Sequence, residues 1–223
     1  MKIYKDLEQW TPEWLKVRAG VITWTWLKNV ITEELKKGWI SKKSLDKQVN
    51  YIYDLIGGEF SYDENAPQIS TYLMNAWHEF EELAKMKYES LKNVKVTEVW
   101  FIKSEDWLWL SPDWIILEKN DVIKKAIEIK SPLWNNSRNF YKYMFEDKIP
   151  DDYLQQIVQY FIVIDTLEEL DFIVFNPNFI KKDKQLWIKT IKREDLKEEI
   201  EKAKKDLKDF RKKWLETINI LLK

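Results

Sequence analysis

Two short apolar segments separated by a polar turn place the strongest constraint on how this chain can fold. The first segment is Trp114-Ile115-Ile116-Leu117, and the second runs from Val122 to Ile129. The residues between them, Glu118-Lys119-Asn120-Asp121, are polar and typical of a turn. This pattern predicts an antiparallel β-hairpin whose strands are rich in Ile and Val.

Charged residues gather at one end of the predicted hairpin. Asp113 precedes the first strand, while Glu128 and Lys130 lie at the end of the second. Side chains alternate between the faces of a strand, so Glu128 and Lys130 point to one face and Ile127 and Ile129 to the other. The hairpin therefore brings Asp113 beside Glu128 and Lys130.

Two carboxylates beside an ammonium group suggest a hard-metal site. Carboxylate oxygens suit Mg²⁺ or Mn²⁺, and a neighbouring Lys can orient a water molecule or contact a phosphate. The alternative is an ordinary ion pair between Glu128 and Lys130 on a solvated strand. The spacing alone leaves both interpretations open.

Composition narrows the functional classes. The chain has 223 residues, of which 45% are hydrophobic, and its 37 basic and 38 acidic residues nearly cancel. We therefore expect one globular domain, in which any nucleic-acid surface is a local patch. The absence of Cys excludes disulfides and iron–sulfur clusters, and a single His excludes a His-rich metal site. The N-terminal residues lack a signal-peptide pattern and no segment has membrane-spanning length, so we expect a soluble, intracellular (cytoplasmic) protein without a membrane partner.

Periodicity and capping residues predict a central mixed β-sheet flanked by helices, an α/β fold. Helices are predicted from Thr11 (N-cap) towards Gly20, from Thr23 to Lys37, from Ser41 to Ile56 with Gly57-Gly58 as the stop, from Gln68 to Glu89, from Asp151 to Ile164 and from Glu194 to Leu222. Further strands are predicted at 94–103, 107–110, 171–175 and 186–191, and a polar loop at 134–140. We expect a single domain comprising N-terminal helices (1–60), a core (66–192) and a C-terminal helix (194–222).

The helix predicted from Gln68 to Glu89 supplies a third carboxylate. At 100° per residue, Glu81 lies roughly 80° from the centre of the apolar stripe, whereas Glu82 lies on the wet face with His78 and Lys85. Glu81 is thus a candidate to join Asp113 and Glu128. The alternative is a rim carboxylate paired with Lys85.

The order Asp, hairpin, Glu-x-Lys resembles the PD-(D/E)XK nuclease core. Ser111-Pro112-Asp113 followed by Glu128-Ile129-Lys130-Ser131-Pro132 looks like the phage lambda exonuclease branch of that superfamily, the viral recombinase family. The resemblance spans Trp14 to Pro177. The sequence departs from the family pattern at Trp77 and Trp114, where Gly is usual.

Further segments extend the resemblance. Gln156 and Tyr160 share a helix face, as in the Gln-x-x-x-Tyr helix of related nucleases, and Gln156 is favoured over Gln159 as the residue that faces the site. Arg18, with Thr23 and Thr25 at a predicted helix N terminus, forms a candidate phosphate site, although a surface salt bridge is the alternative for Arg18.

The resemblance implies roles for these residues. Arg18 would hold a DNA 5′-phosphate, with Thr25 in place of the usual Ser. Other DNA contacts are expected from Thr23, Ser111, Arg138 and Tyr160.

The resemblance also implies a function: Mg²⁺-dependent (or Mn²⁺-dependent) 5′→3′ exonucleolytic hydrolysis of double-stranded DNA ends in recombination or repair. One or two ions would be held by Glu81, Asp113, Glu128 and the backbone carbonyl of Ile129, while Lys130 orients or deprotonates the water and Gln156 supports the site. A homotrimer and a single-strand annealing partner are implied by the family alone. Alternatives are a CRISPR-associated or repair nuclease of the same superfamily without an iron–sulfur cluster, a restriction-type endonuclease, and a catalytically silent DNA-end-binding protein.

Overall fold

The computed structural model describes residues 1–5, 11–23, 27–36, 39–61, 71–131, 137–149 and 151–223. Its strands are β1 (Lys2–Tyr4), β2 (Glu34–Lys36), β3 (Trp39–Ile40), β4 (Phe101–Glu105), β5 (Leu108–Leu110), β6 (Trp114–Leu117), β7 (Ile123–Lys130), β8 (Glu169–Phe175) and β9 (Leu186–Lys192). Its helices are α1 (Pro12–Arg18), α2 (Leu27–Val30), α3 (Lys42–Phe60), α4 (Thr71–Lys92), α5 (Ser137–Glu146), α6 (Asp151–Val163) and α7 (Lys197–Leu221). None of the described helices is long and apolar enough to cross a membrane.

The central sheet has the strand order β6-β7-β8-β9. The predicted hairpin forms β6 and β7, with Trp114 opposite Ile127. Strand β8 runs parallel to β7 because α5 and α6 carry the chain across the sheet, and β9 returns antiparallel. The predicted α/β fold with a mixed sheet and flanking helices is therefore confirmed. A second sheet contains β1, β4 and β5, and β2 pairs with β3.

Different helices pack on the two faces of the central sheet. Ala84 and Tyr88 of α4 pack in one apolar cluster with Ile127 and Ile129 of β7. The main core, which contains residues of α6 and α7, includes the alternate β8 residues Leu170, Phe172 and Val174. Helix α4 thus lies on the Ile127 face, and α6 lies on the Glu128 face.

The helix predicted from Thr23 to Lys37 is wrong. Among the described residues of this range, only the four of α2 are helical, and the chain continues into the β2–β3 ribbon. The backbone N–H and the hydroxyl of Thr32 both donate to Asp206 of α7, at 2.7 and 3.0 Å. This long-range contact takes an amide that a continuing helix would need, which a local pattern could not reveal.

The stop predicted at Gly57-Gly58 is also wrong, because α3 continues to Phe60. A Cβ atom at Gly58 would lie 2.5 Å from the backbone nitrogen of Gly20, which itself has φ +72°. Gly58 therefore permits close packing of the turn after α1 against α3 rather than ending the helix.

Three smaller differences complete the comparison. Strand β4 begins at Phe101 rather than at residue 94, and the segment before it makes an isolated bridge between Thr97 and Ile115. Part of the predicted 134–140 loop is helix α5, anchored by buried Phe140, while residues 134–136 lie outside the described chain. Strand β1, which pairs with β4, was not predicted because three residues give no periodicity.

Candidate active site

The end of the β6–β7 hairpin is closed by a side chain. Beyond the pair formed by Trp114 and Ile127, the backbone N–H of Ile129 donates to Asp113 Oδ2 at 2.7 Å instead of to a strand partner. The Asp113 N–H in turn donates to Tyr160 Oη at 3.3 Å. Asp113 is therefore fixed next to the Glu128–Lys130 end of β7.

Glu128 is the centre of the site. Its side chain is 1% exposed and accepts hydrogen bonds from three donors. Lys130 Nζ and Gln156 Nε2 donate to Oε1, and Tyr160 Oη donates to Oε2. A buried carboxylate with three donors is well satisfied, so its orientation is set by β7 and α6 together.

Helix α6 separates its two candidate glutamines. Gln156 contacts Glu128, whereas Gln159 Nε2 donates to the backbone carbonyl of Trp109, at 3.0 Å, in strand β5. Gln156 is thus the glutamine that faces the carboxylates. Tyr160, one helical turn later, contacts the same carboxylate, so the structure places it as support for Glu128.

Glu81 reaches the site from α4. It lies on the same helix face as buried Ala84 and Tyr88 and electrostatically influences Asp113. Its neighbour Glu82 is exposed and pairs with Lys85 at 3.3 Å, and Lys85 Nζ lies 4.2 Å from the centre of the Trp114 ring. The side chains of Trp77 and His78 lie outside the described part of the chain.

The three carboxylates perturb one another. Burial, and then the charge of Glu128, raises the pKa of Asp113 well above its ordinary value. The same two causes raise the pKa of Glu81 to about 7. Burial alone would lower the pKa of Lys130, but Glu128 and Asp113 more than reverse this and raise it. The site therefore concentrates negative charge around one ammonium group.

Among the described residues, no three Asp, Glu, His or Cys side chains form a cluster ready to bind a metal ion. Both Glu128 oxygens and one Asp113 oxygen accept hydrogen bonds from donors of the protein. The donor set nevertheless fits a hard divalent cation, since carboxylate oxygens are its preferred ligands and positive charge relieves their repulsion. The contribution of the Ile129 carbonyl stays a prediction.

Among the described residues, side chains of Trp14 and Thr23 contact Arg18. The guanidinium carbon of Arg18 lies 4.1 Å from the centre of the Trp14 ring, and Nη2 donates to Thr23 Oγ1 at 3.2 Å. Burial lowers the pKa of Arg18 to about 10, against the smaller opposing effect of Tyr51. Residues 24–26, which include Thr25, lie outside the described part of the chain, so the helix N terminus expected after Thr23 stays a prediction.

Two further predicted DNA contacts have different settings. Ser111 is buried, and its hydroxyl donates to the backbone carbonyl of Trp100 at 2.9 Å, so it braces the segment before Asp113. Arg138 is exposed in the first turn of α5. The position of Trp14 and Tyr51 beside Arg18 was not predicted. In a sequence, an aromatic residue that lines a binding site looks the same as one that fills the core.

The four-stranded mixed sheet, with Asp113 and the Glu-x-Lys strand at one end, has the expected PD-(D/E)XK-like fold. The chain belongs to the YqaJ-like viral recombinase domain family, whose model matches residues 13–166. The expected viral recombinase family is therefore confirmed.

Solved structures support this fold. An alkaline exonuclease (LHK-Exo) from Laribacter hongkongensis is similar at a TM-score of 0.68 and 22% identity, over 96% of this chain and 100% of that one. The same exonuclease in complex with dAMP gives a TM-score of 0.66 with the same identity and coverage. A phage-related exonuclease from Haemophilus somnus 129PT gives 0.59 at 15% identity, over 93% and 99% of the two chains. No curated protein sequence matches the chain significantly.

Proposed function

We propose that this protein is a metal-dependent exonuclease that hydrolyses double-stranded DNA from its ends. The observation that carries the proposal is Glu128, buried beside Asp113 and held by Lys130, Gln156 and Tyr160. A buried anionic cluster with this support is costly to maintain without a ligand or a reaction. Membership of a viral recombinase family makes DNA the appropriate substrate.

Glu81, Asp113, Glu128 and the Ile129 carbonyl would hold one or two Mg²⁺ or Mn²⁺ ions. Such an ion, when bound, stabilises charge on the phosphate and lowers the pKa of a water. Gln156 and Tyr160 keep the Glu128 oxygens oriented. The raised pKa of Lys130 supports a role as an ammonium group that orients water, rather than as the base that deprotonates it.

A 5′→3′ direction would follow from the Arg18 site. The guanidinium stacked on Trp14 has limited freedom, and a charged donor in a half-buried setting binds phosphate more strongly than an exposed one. Thr23 and Thr25 would complete the contacts to the 5′-phosphate, and exposed Arg138 would contact the DNA backbone. We include in the proposal a homotrimer, a single-strand annealing partner, a single nuclease domain, intracellular action and a role in recombination or repair.

The experiment that tests this function compares end-labelled linear duplex with closed circular duplex in the presence of Mg²⁺. Release of label from the linear DNA, with intact circles, is the expected result. Cleavage of the circles would indicate an endonuclease. Binding of linear ends without any hydrolysis, unchanged by Lys130→Ala, would instead indicate an end-binding protein.

A further inference from the structure

A second buried carboxylate lies in the central sheet, outside the carboxylate cluster. Asp171 of β8 is fully buried. Its oxygens accept hydrogen bonds from Tyr88 Oη at 2.7 Å and Thr190 Oγ1 at 2.5 Å, and Lys125 Nζ lies 3.0 Å away. Burial alone would raise the pKa of Asp171, but the hydrogen bonds from Thr190, Tyr88 and Lys125 more than offset it and lower the pKa. These hydrogen bonds therefore favour the ionised form of Asp171.

The three partners of Asp171 come from different elements. Lys125 belongs to β7 and Thr190 to β9, and both strands are already bonded to β8 through their backbones. Tyr88 belongs to α4, which packs on this face through apolar side chains. Apolar contacts are non-directional, whereas a hydrogen bond to a buried anion fixes position and angle. The Tyr88 hydroxyl thus supplies α4 with a directional attachment to the centre of the sheet.

Tyr88 and Glu81 share one face of α4. They are seven residues apart, which places them about 20° apart around the helix and about 10 Å apart along it. Ala84, between them, is fully buried against the sheet. A slide or rotation of α4 at Tyr88 would therefore displace Glu81 by a similar amount.

We propose that Tyr88 is a positioning residue, whose hydrogen bond to Asp171 sets α4 so that Glu81 joins Asp113 and Glu128. This inference rests on the proposed function, because it concerns the carboxylates that would hold the metal. Buried ionic groups retained for geometry rather than stability are known in other folds. Here, the hydrogen bond would fix the position and rotation of α4 on the central sheet.

The test compares Tyr88→Phe with Thr190→Val. Each variant removes one hydrogen bond to Asp171 and leaves the other, but only Tyr88→Phe releases α4. Both should lower the thermal unfolding temperature by similar amounts. In calorimetric titration with Mn²⁺, Tyr88→Phe should bind about tenfold more weakly than the wild type, as for other groups that orient metal ligands, and Thr190→Val should stay within about twofold. In DNA digestion, Tyr88→Phe should lower kcat and leave the KM for DNA unchanged.

The Mn²⁺ affinities separate failure of the positioning role from failure of the proposed function. Equal Mn²⁺ affinities in the two variants would overturn the positioning role while leaving the proposed function intact. A wild-type protein that neither binds Mn²⁺ nor cuts DNA would overturn the proposed function itself. If Tyr88→Phe fails to fold, hydrogen–deuterium exchange of the wild type replaces it. Mn²⁺ should then slow exchange in α4 around residues 81–88, and unchanged exchange there would refute the coupling.

Discussion

Replacing Gln156 by Leu should slow DNA hydrolysis far more than the same replacement of Gln159, which lies on the same helix. Gln156 Nε2 donates to Glu128, a carboxylate that is 1% exposed. A hydrogen bond to a charged group contributes about 1.5–3 kcal/mol. If the transition state loses that contribution, the rate of hydrolysis falls by about 10- to 150-fold, because 1.36 kcal/mol corresponds to a factor of ten.

Gln159→Leu provides a matched control on the same helix. Gln159 is also buried, but it donates to the carbonyl of Trp109, so its loss leaves a backbone acceptor without that donor and destabilises by about 1–3 kcal/mol. The assay is release of end label from linear duplex at saturating Mg²⁺, with unfolding by denaturant measured in parallel. Equal rate losses in the two variants, or a Gln156→Leu rate close to that of the wild type, would refute the assigned role of Gln156.

Three further predictions concern the carboxylates, the α3 glycines and the DNA end. Glu81, with a pKa of about 7, must lose its proton to bind a cation, so Mg²⁺-dependent activity should rise from about pH 6 to about pH 8. Because folding raises the pKa of Glu81 from its ordinary value of 4.5 to about 7, the metal-free protein should lose unfolding free energy as pH rises between these two values, and an equally steep loss in Glu81→Gln would contradict this. Gly58→Ala should destabilise by about 1–3 kcal/mol, since its Cβ would lie 2.5 Å from the nitrogen of Gly20. Gly57→Ala, with open space around its Cβ, should instead stabilise by about 0.5–1 kcal/mol. A shift of the denaturant midpoint in the same direction for both variants would contradict the packing argument. Arg18→Ala should abolish any preference for 5′-phosphorylated over 5′-hydroxyl ends in a competition digest, whereas a preserved preference would remove Arg18 from the phosphate site.

The hairpin and the carboxylate geometry could be predicted because their causes are local. Strand alternation alone places Glu128 and Lys130 on one face, and the polar turn at 118–121 fixes which strand ends meet. Helical periodicity similarly places Glu81 on the flank of the buried stripe of α4. These patterns need no knowledge of distant contacts.

The errors arose where distant residues decide the conformation. The helix predicted from Thr23 fails because Asp206, in the last helix, bonds Thr32. The stop at Gly57-Gly58 fails because Gly58 is needed for contact with Gly20, not for a turn. Neither contact leaves a periodic signal in the sequence.

The Asp171 site was missed for a related reason. Asp171 begins the strand predicted at 171–175, where a carboxylate is expected to be solvated. Only the three-dimensional convergence of α4, β7 and β9 shows that it is buried with Tyr88 as a partner. Sequence spacing could indicate that Tyr88 shares a face with Glu81, but not what that face contacts.

The most direct test of the proposed carboxylate chemistry is digestion of end-labelled linear duplex by Asp113→Asn. This replacement keeps the shape of the side chain and an acceptor for the Ile129 N–H but removes the charge. We predict that the folded variant still binds DNA ends but releases no label with Mg²⁺. The wild type should likewise release no label after addition of EDTA. Release of label at the wild-type rate, or wild-type activity that persists in EDTA, would contradict metal-dependent catalysis by these carboxylates.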